Sequence, residues 1–181
     1  MSIWFPEDDD HKIESLKKEH LKNFECEVPE LNYYFQNNAL DNENELISKN
    51  YVFIRKNDNF PCALFTISNA EIKSSIETDM VMSENCKYKS YPAVRIGRLA
   101  VHKEVSRQGI GSKLLLFIKI WFSLSNKTGC RYILVDSRKE AVVFYKKNGF
   151  EEYLGNETAS KYPVLIFDLM PFRYKIESFT K

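Results

Sequence analysis

The residues with the clearest chemical use form a heptapeptide, Ser106-Arg107-Gln108-Gly109-Ile110-Gly111-Ser112, set between an apolar run and a helical pattern. Gly109 and Gly111 carry no Cβ, so a backbone there can come close to a ligand. The first amides of a helix have no partner inside it, and the dipole places about half a positive charge at that end. Gln108 to Ser112 therefore form a cradle suited to a phosphate or pyrophosphate. No Gly-Lys-Ser/Thr ending follows, which argues against a nucleotide P-loop, and the third glycine of a dinucleotide fold is missing.

The elements that position this loop can be read on either side of it. Residues 93–101 form an apolar strand, and Ile110, Leu114, Leu115, Ile118, Trp121 and Phe122 recur at helical spacing after it. Downstream, residues 131–135 read as a strand, and Ala141, Val142, Phe144 and Tyr145 begin a short helix closed by Asn148-Gly149, a C-cap signal. Upstream, residues 2–5 read as a short strand. Ile13, Leu16, Leu21 and Phe24 suggest a helix from His11 onward, with Lys12, Lys17, Lys18 and Lys22 on a solvated face or one that meets a polyanion. A helix opening at Pro29 would bury Leu31, Tyr34 and Phe35. Residues 51–54 and 62–72 read as strands joined by the turn KNDNFP, and 74–91 as a polar surface loop. Short strands follow near 151–154 and 164–169, and the tail FRYKIESFTK is read as an edge strand or frayed end.

Composition narrows the class. The 181 residues suit one domain, 1–181, with a substantial core. A formal charge of +1 announces no nucleic-acid partner. Cys26, Cys62, Cys86 and Cys130 form no metal-binding cluster and read as reduced, mostly buried thiols of a cytosolic protein. No stretch has the apolar length of a membrane span, and the acidic start after Pro6 is unlike a signal peptide.

The loop after its strand resembles the acetyl-CoA loop of the GNAT superfamily of N-acetyltransferases, Arg/Gln-x-x-Gly-x-Gly/Ala, although Ser106 stands at the first position. Phe144, Tyr145, Gly149 and Phe150 resemble a second signature of that family, in which Phe-Tyr-x-x-x-Gly-Phe closes a helix after the fifth strand. The resemblance implies an α/β fold with a mixed sheet of six to seven strands flanked by about four helices. It also implies acetyl-CoA as cosubstrate. Arg107, Gln108, Gly109, Gly111 and Ser112 would hold its pyrophosphate, the backbone of Leu99, Ala100 and Val101 would pair with its pantetheine arm, and the Tyr145 phenol would protonate the leaving sulfur. Phe24, Cys26, Leu31, Asn32 and Phe35, with residues 46–54 and 97–101, are similar to the GNAT toxins of toxin–antitoxin pairs. That group implies the α-amino group of aminoacyl-tRNA as acceptor and an antitoxin as partner, and the fold implies a homodimer. Two other readings stay open: an acetyltransferase for small amines or protein N-termini, and a non-catalytic acetyl-CoA-binding module.

A general base is harder to place. VRIGRLAV carries Arg95 and Arg98 but no carboxylate. An α-amino group of pKa about 7.7–8.0 is partly neutral at pH 7, whereas a lysine near 10.4 is not, so the site suits a low-pKa amine. Glu77, Asp79 or Asp136 could act through water, although Asp136 reads better as the cap of the next helix. His102 reads as a solvent-facing strand end. Arg98 either meets an anionic acceptor or lies on the outer face of its strand.

Overall fold

Two adjacent runs rich in β-branched and aromatic residues build the hairpin on which the first part of the molecule rests. β2 (Lys49–Arg55) pairs antiparallel with β3 (Phe60–Lys73), with Tyr51 opposite Phe65 and their rings stacked at 5.2 Å. Asn59 takes the left-handed φ of 54° that the connecting turn requires. The computed structural model describes residues 7–73, 90–124, 128–153 and 162–179. The expected strand at 2–5 and residues 74–89 of the loop expected at 74–91 lie outside these residues.

The helix expected from His11 onward is instead β1 (His11–Ser15), paired antiparallel with β2 from His11 opposite Arg55 to Ser15 opposite Tyr51. His11 and Ile13 point inward with a period of two, and only Lys18–Leu21, α1, is helical. The apparent helical spacing drew Ile13, Leu21 and Phe24 from three separate segments. α2 (Pro29–Asn37) and α3 (Ala39–Asn44) follow, and α2 buries Tyr34 and Phe35, with Leu31 only partly covered.

β4 (Ser90–Val101) takes in the last two residues of the expected loop. After it come α4 (Ile110–Leu124), β5 (Tyr132–Asp136), α5 (Val142–Lys147), β6 (Glu151–Glu152), β7 (Val164–Asp168) and α6 (Leu169–Phe179). The seven strands form one mixed sheet in the order β1-β2-β3-β4-β5-β7-β6. The described residues thus hold six α-helices, against the four or so expected, and none is long and apolar enough to cross a membrane.

Two compact units share the strands β3 and β4. In the first, residues up to 68 and 96–125, Leu16, Phe24, Phe35, Ala39, Val52, Leu64 and Ala100 form a core. Each of the leucine, valine and phenylalanine side chains there contributes about 2 kcal/mol through removal of apolar area from water. α4 lays Phe117 edge-on to Phe53 at 5.2 Å and Trp121 edge-on to Tyr51 at 5.1 Å. Gly97 of β4 leaves no room for more, because a Cβ there would stand 3.0 Å from Thr66 Oγ1.

The second unit, 69–95 and 126–181, packs Ile72, Tyr91, Ala93, Tyr132, Leu134 and Ile166 together. β7 lies antiparallel to both β5 and β6. The tail read as strand or frayed end is α6. Asp168 accepts the Met170 N–H at 2.9 Å and holds Arg131 through two bonds of 2.7 Å, while Arg173 and Glu177 pair one turn apart at 2.8 Å. Pro171 falls in the first turn, where a missing N–H breaks no helical bond. Cys26 and Cys62 are buried and Cys130 is half-buried, and none of the three forms a disulfide among the described residues.

Candidate active site

In the first unit the heptapeptide is a turn between the short 3₁₀ segment Lys103–Val105 and α4. Arg107 and Gly109 both take left-handed backbone, at φ 61° and 83°. Such a conformation costs a non-glycine residue about 1 kcal/mol, and only Gly109 avoids it. A Cβ at Gly109 would meet nothing within 4 Å, so the glycine is required by φ rather than by packing. The Lys113 N–H reaches the Gly109 carbonyl at 2.9 Å and closes the first turn of α4. The amides of Ile110, Gly111 and Ser112 therefore have no acceptor within the helix. Gln108 turns its side chain back to the Glu104 carbonyl at 3.0 Å, which leaves its main chain on the loop. Upstream, Ala100 is buried in the core while Leu99 and Val101 are half-buried.

His102 is not solvent-facing. It is 2% exposed, edge-on to Phe24 at 5.5 Å and to Phe60 at 4.6 Å. Its Nε2 lies 2.8 Å from the Asn23 carbonyl, and its Nδ1 accepts the Glu104 N–H at 3.2 Å. The sequence placed a histidine at a strand end but could not show the two aromatic rings, distant in the chain, that close over it. Nearby, Asn32 Oδ1 accepts the Cys26 N–H at 2.8 Å, and its Nδ2 donates to the Cys26 carbonyl at 2.9 Å. Phe24, Cys26, Asn32 and Phe35 thus sit at their spacing because they join core packing to a side-chain clasp on an irregular backbone.

Two further contacts were not legible. Lys113 Nζ, on the first turn of α4, reaches Asp8 Oδ2 at 2.8 Å and His11 Nδ1 at 2.9 Å. Burial, and then the Lys113 ammonium, hold the His11 imidazole below its ordinary pKa. Arg98 is exposed, with its guanidinium 3.7 Å above the Tyr34 ring. That cation–π contact holds the charge at the surface of β4.

In the second unit Tyr145 lies on α5, buried beside Phe144 at 5.0 Å and Phe150 at 5.5 Å. Burial raises its phenol well above the ordinary range, so the proton stays on oxygen. Gly149, at φ 77°, turns the chain out of the helix, and the Phe150 N–H returns to the Tyr145 carbonyl at 3.1 Å. Asp136 caps nothing in the following helix; it pairs with Arg95 at 3.2 Å, both partly exposed. Glu77 and Asp79 lie outside the described residues. The residues expected to hold acetyl-CoA all fall in the first unit and Tyr145 in the second.

Residues 72–152, the span that contains β4, the loop, α4, β5 and α5, match the family model of the acetyltransferase (GNAT) domain. Over that span the chain is similar to a GNAT acetyltransferase domain. The GNAT fold extends over nearly the whole chain. AtaT complexed with acetyl-methionyl-tRNAfMet is similar with a TM-score of 0.75 and 22% identity, covering 95% of this chain and 100% of that one. A tyrosine-to-phenylalanine mutant of KacT gives a TM-score of 0.75 at 18% identity, with 93% and 99% covered. A mutant AtaT toxin bound to the C-terminus of the antitoxin AtaR and acetyl-CoA gives 0.71 at 21%, with 93% and 99% covered. At these identities the likeness to the GNAT structures is one of fold.

Proposed function

We propose that this protein transfers the acetyl group of acetyl-CoA to a primary amine, and that the amine is the α-amino group of aminoacyl-tRNA. The observation that carries the reading is the turn at 106–112, where left-handed Arg107 and Gly109 lead into a helix start whose first three amides have no acceptor within the helix. An anion of the size of a pyrophosphate meets those donors together with the positive end of the α4 dipole. The main chain of Leu99, Ala100 and Val101 takes the pantetheine arm, and Arg107 adds charge beside the phosphates.

The amine lone pair attacks the thioester carbonyl carbon directly. A C–N bond forms, the C–S bond breaks, the sulfur receives the Tyr145 proton, and the proton lost by the amine returns through water to the Tyr145 oxygen. Tyr145 holds its proton at neutral pH, as a phenol does, and can pass it to the sulfur as charge develops there. Coenzyme A, a thiol of pKa about 8.5, is already a fair leaving group. Positioning therefore supplies most of the acceleration.

The absence of a carboxylate from SYPAVRIGRLAV supports an acceptor that needs no strong base, and Arg98 supports one that carries negative charge. AtaT with acetyl-methionyl-tRNAfMet, and AtaT with the antitoxin AtaR and acetyl-CoA, support the same choice of acceptor and an antitoxin partner. We place the protein in the cytoplasm as a homodimer of the single domain 1–181. The test is mass spectrometry of total aminoacyl-tRNA after incubation with acetyl-CoA and either wild type or Tyr145→Phe. Acetylated aminoacyl-tRNA from wild type alone is the expected result. Acetylation confined to small amines or protein N-termini would replace the acceptor, and coenzyme A binding without any transfer would replace the enzyme by a binding module.

A further inference from the structure

The anion loop is tied back to the segment before α2 by three consecutive hydrogen bonds. Gln108 Nε2 donates to the Glu104 carbonyl at 3.0 Å, the Glu104 N–H donates to His102 Nδ1 at 3.2 Å, and His102 Nε2 stands 2.8 Å from the Asn23 carbonyl. A backbone N–H can only donate, so Nδ1 is the acceptor, and Nε2 carries the ring proton toward Asn23. The main chain beside it follows the same path: the His102 N–H reaches the Cys62 carbonyl and the Lys103 N–H the Glu25 carbonyl, each at 2.8 Å. Phe24 and Phe60 fix the plane of the ring between them.

We infer that His102 is a positioning residue for acetyl-CoA: anchored on Asn23 through Nε2, it caps the Lys103–Val105 turn through Nδ1 and so sets where the amides of residues 109–112 stand. The inference rests on the reading of that loop as the pyrophosphate cradle. His102 takes no part in proton transfer, since both ring nitrogens are engaged by backbone groups.

Substitution can separate the two nitrogens. Asparagine sets an amide oxygen near the place of Nδ1, which keeps the cap and loses Asn23. Glutamine reaches toward the place of Nε2, which keeps Asn23 and loses the cap. Coenzyme A is titrated calorimetrically into full-length wild type, His102→Asn and His102→Gln, and acetylation kinetics are measured in parallel. His102→Gln is expected to weaken coenzyme A about tenfold and to raise KM for acetyl-CoA equally. Its kcat at saturation stays within about twofold, and His102→Asn recovers coenzyme A affinity to within about threefold of wild type. Equal affinity in both variants, or a loss confined to kcat, would overturn the inference. Should His102→Gln fail to fold, Gln108→Ala decides, because Gln108 is exposed and its removal cuts the last link of the same chain. About a threefold loss of coenzyme A affinity is then expected, and no change would overturn the inference. Wild type that binds no coenzyme A would overturn the cradle reading itself; wild type that binds, with variants that match it, would overturn the role of His102 alone.

Discussion

In the first unit the groups proposed to meet the cosubstrate are main-chain amides, and hydrogen bonds hold them: Gln108 to Glu104, Glu104 to His102, His102 to Asn23, and Asn32 on both sides of Cys26. In the second unit the proposed working group is one phenol, and rings hold it: Tyr145 against Phe144 and Phe150, and Phe150 tilted onto Phe167 at 5.5 Å. The difference follows from the task. An anion cradle needs several donors at fixed angles, which hydrogen-bonded turns provide, and side-chain identity on the loop matters less than φ. A proton donor needs a single oxygen at a fixed place, already protonated at neutral pH as a phenol is, and packed rings supply that placement.

Substitutions at the two working sites should separate the two tasks. Tyr145→Phe is expected to lower kcat about a hundredfold while KM for acetyl-CoA moves less than about twofold. Steady-state kinetics at saturating acceptor measure this, and an equal rise in KM would place Tyr145 in binding rather than in chemistry. Gly109→Ala should do the reverse. Alanine at φ 83° costs about 1 kcal/mol and drives the turn toward a conformation that misaligns the amides, so coenzyme A affinity falls about tenfold by calorimetry. The open space around that position keeps the loss of folding stability near the same 1 kcal/mol in urea denaturation. A clash-sized loss would mean that packing, not φ, selects the glycine.

The supports can be compared in the same way. Asn32→Ala leaves the N–H and carbonyl of Cys26 without their side-chain partners and should lower stability by about 2 kcal/mol. Phe150→Leu thins the ring packing under Tyr145 and should cost about 1–2 kcal/mol. Of these two, only Phe150→Leu should also lower kcat, because only it loosens the phenol. A drop in kcat from Asn32→Ala would break the division drawn between the units.

The smallest effect concerns pH. The His11 imidazole is held below its ordinary pKa, so the folded state binds fewer protons than the unfolded one. Its contribution is complete above about pH 6.5 and is lost as pH falls through the lower, folded value. His11→Gln should therefore reduce the loss of stability between pH 7 and pH 5, by less than about 1 kcal/mol, in chemical denaturation at the two pH values. His20, also lowered by burial, retains its share of that loss in the variant. A loss unchanged by His11→Gln would show that Lys113 and Asp8 hold the first turn of α4 without it.

The strand, the turn and the helix start at 93–124, and the Phe144 to Phe150 signature, were legible because their signals are local: a glycine where φ must be positive, apolar spacing of a helix, a glycine past a helix end. Local reading failed where one pattern mixed residues of several elements. Ile13 belongs to β1 and Leu21 to α1, and no window of sequence shows that β2 waits to pair with His11–Ser15. The tail became α6 because Asp168, fixed by Arg131 from β5's side of the unit, caps it. Sequence alone determined which backbone positions can turn, start a helix or bury a ring, since those depend on each residue's own stereochemistry and its near neighbours. Tertiary structure decided the partners: His102 with Asn23, Asn32 with Cys26, Lys113 with Asp8 and His11. Such contacts join groups that only the folded chain brings within hydrogen-bond reach, and a hydrogen bond exists at about 3 Å or not at all.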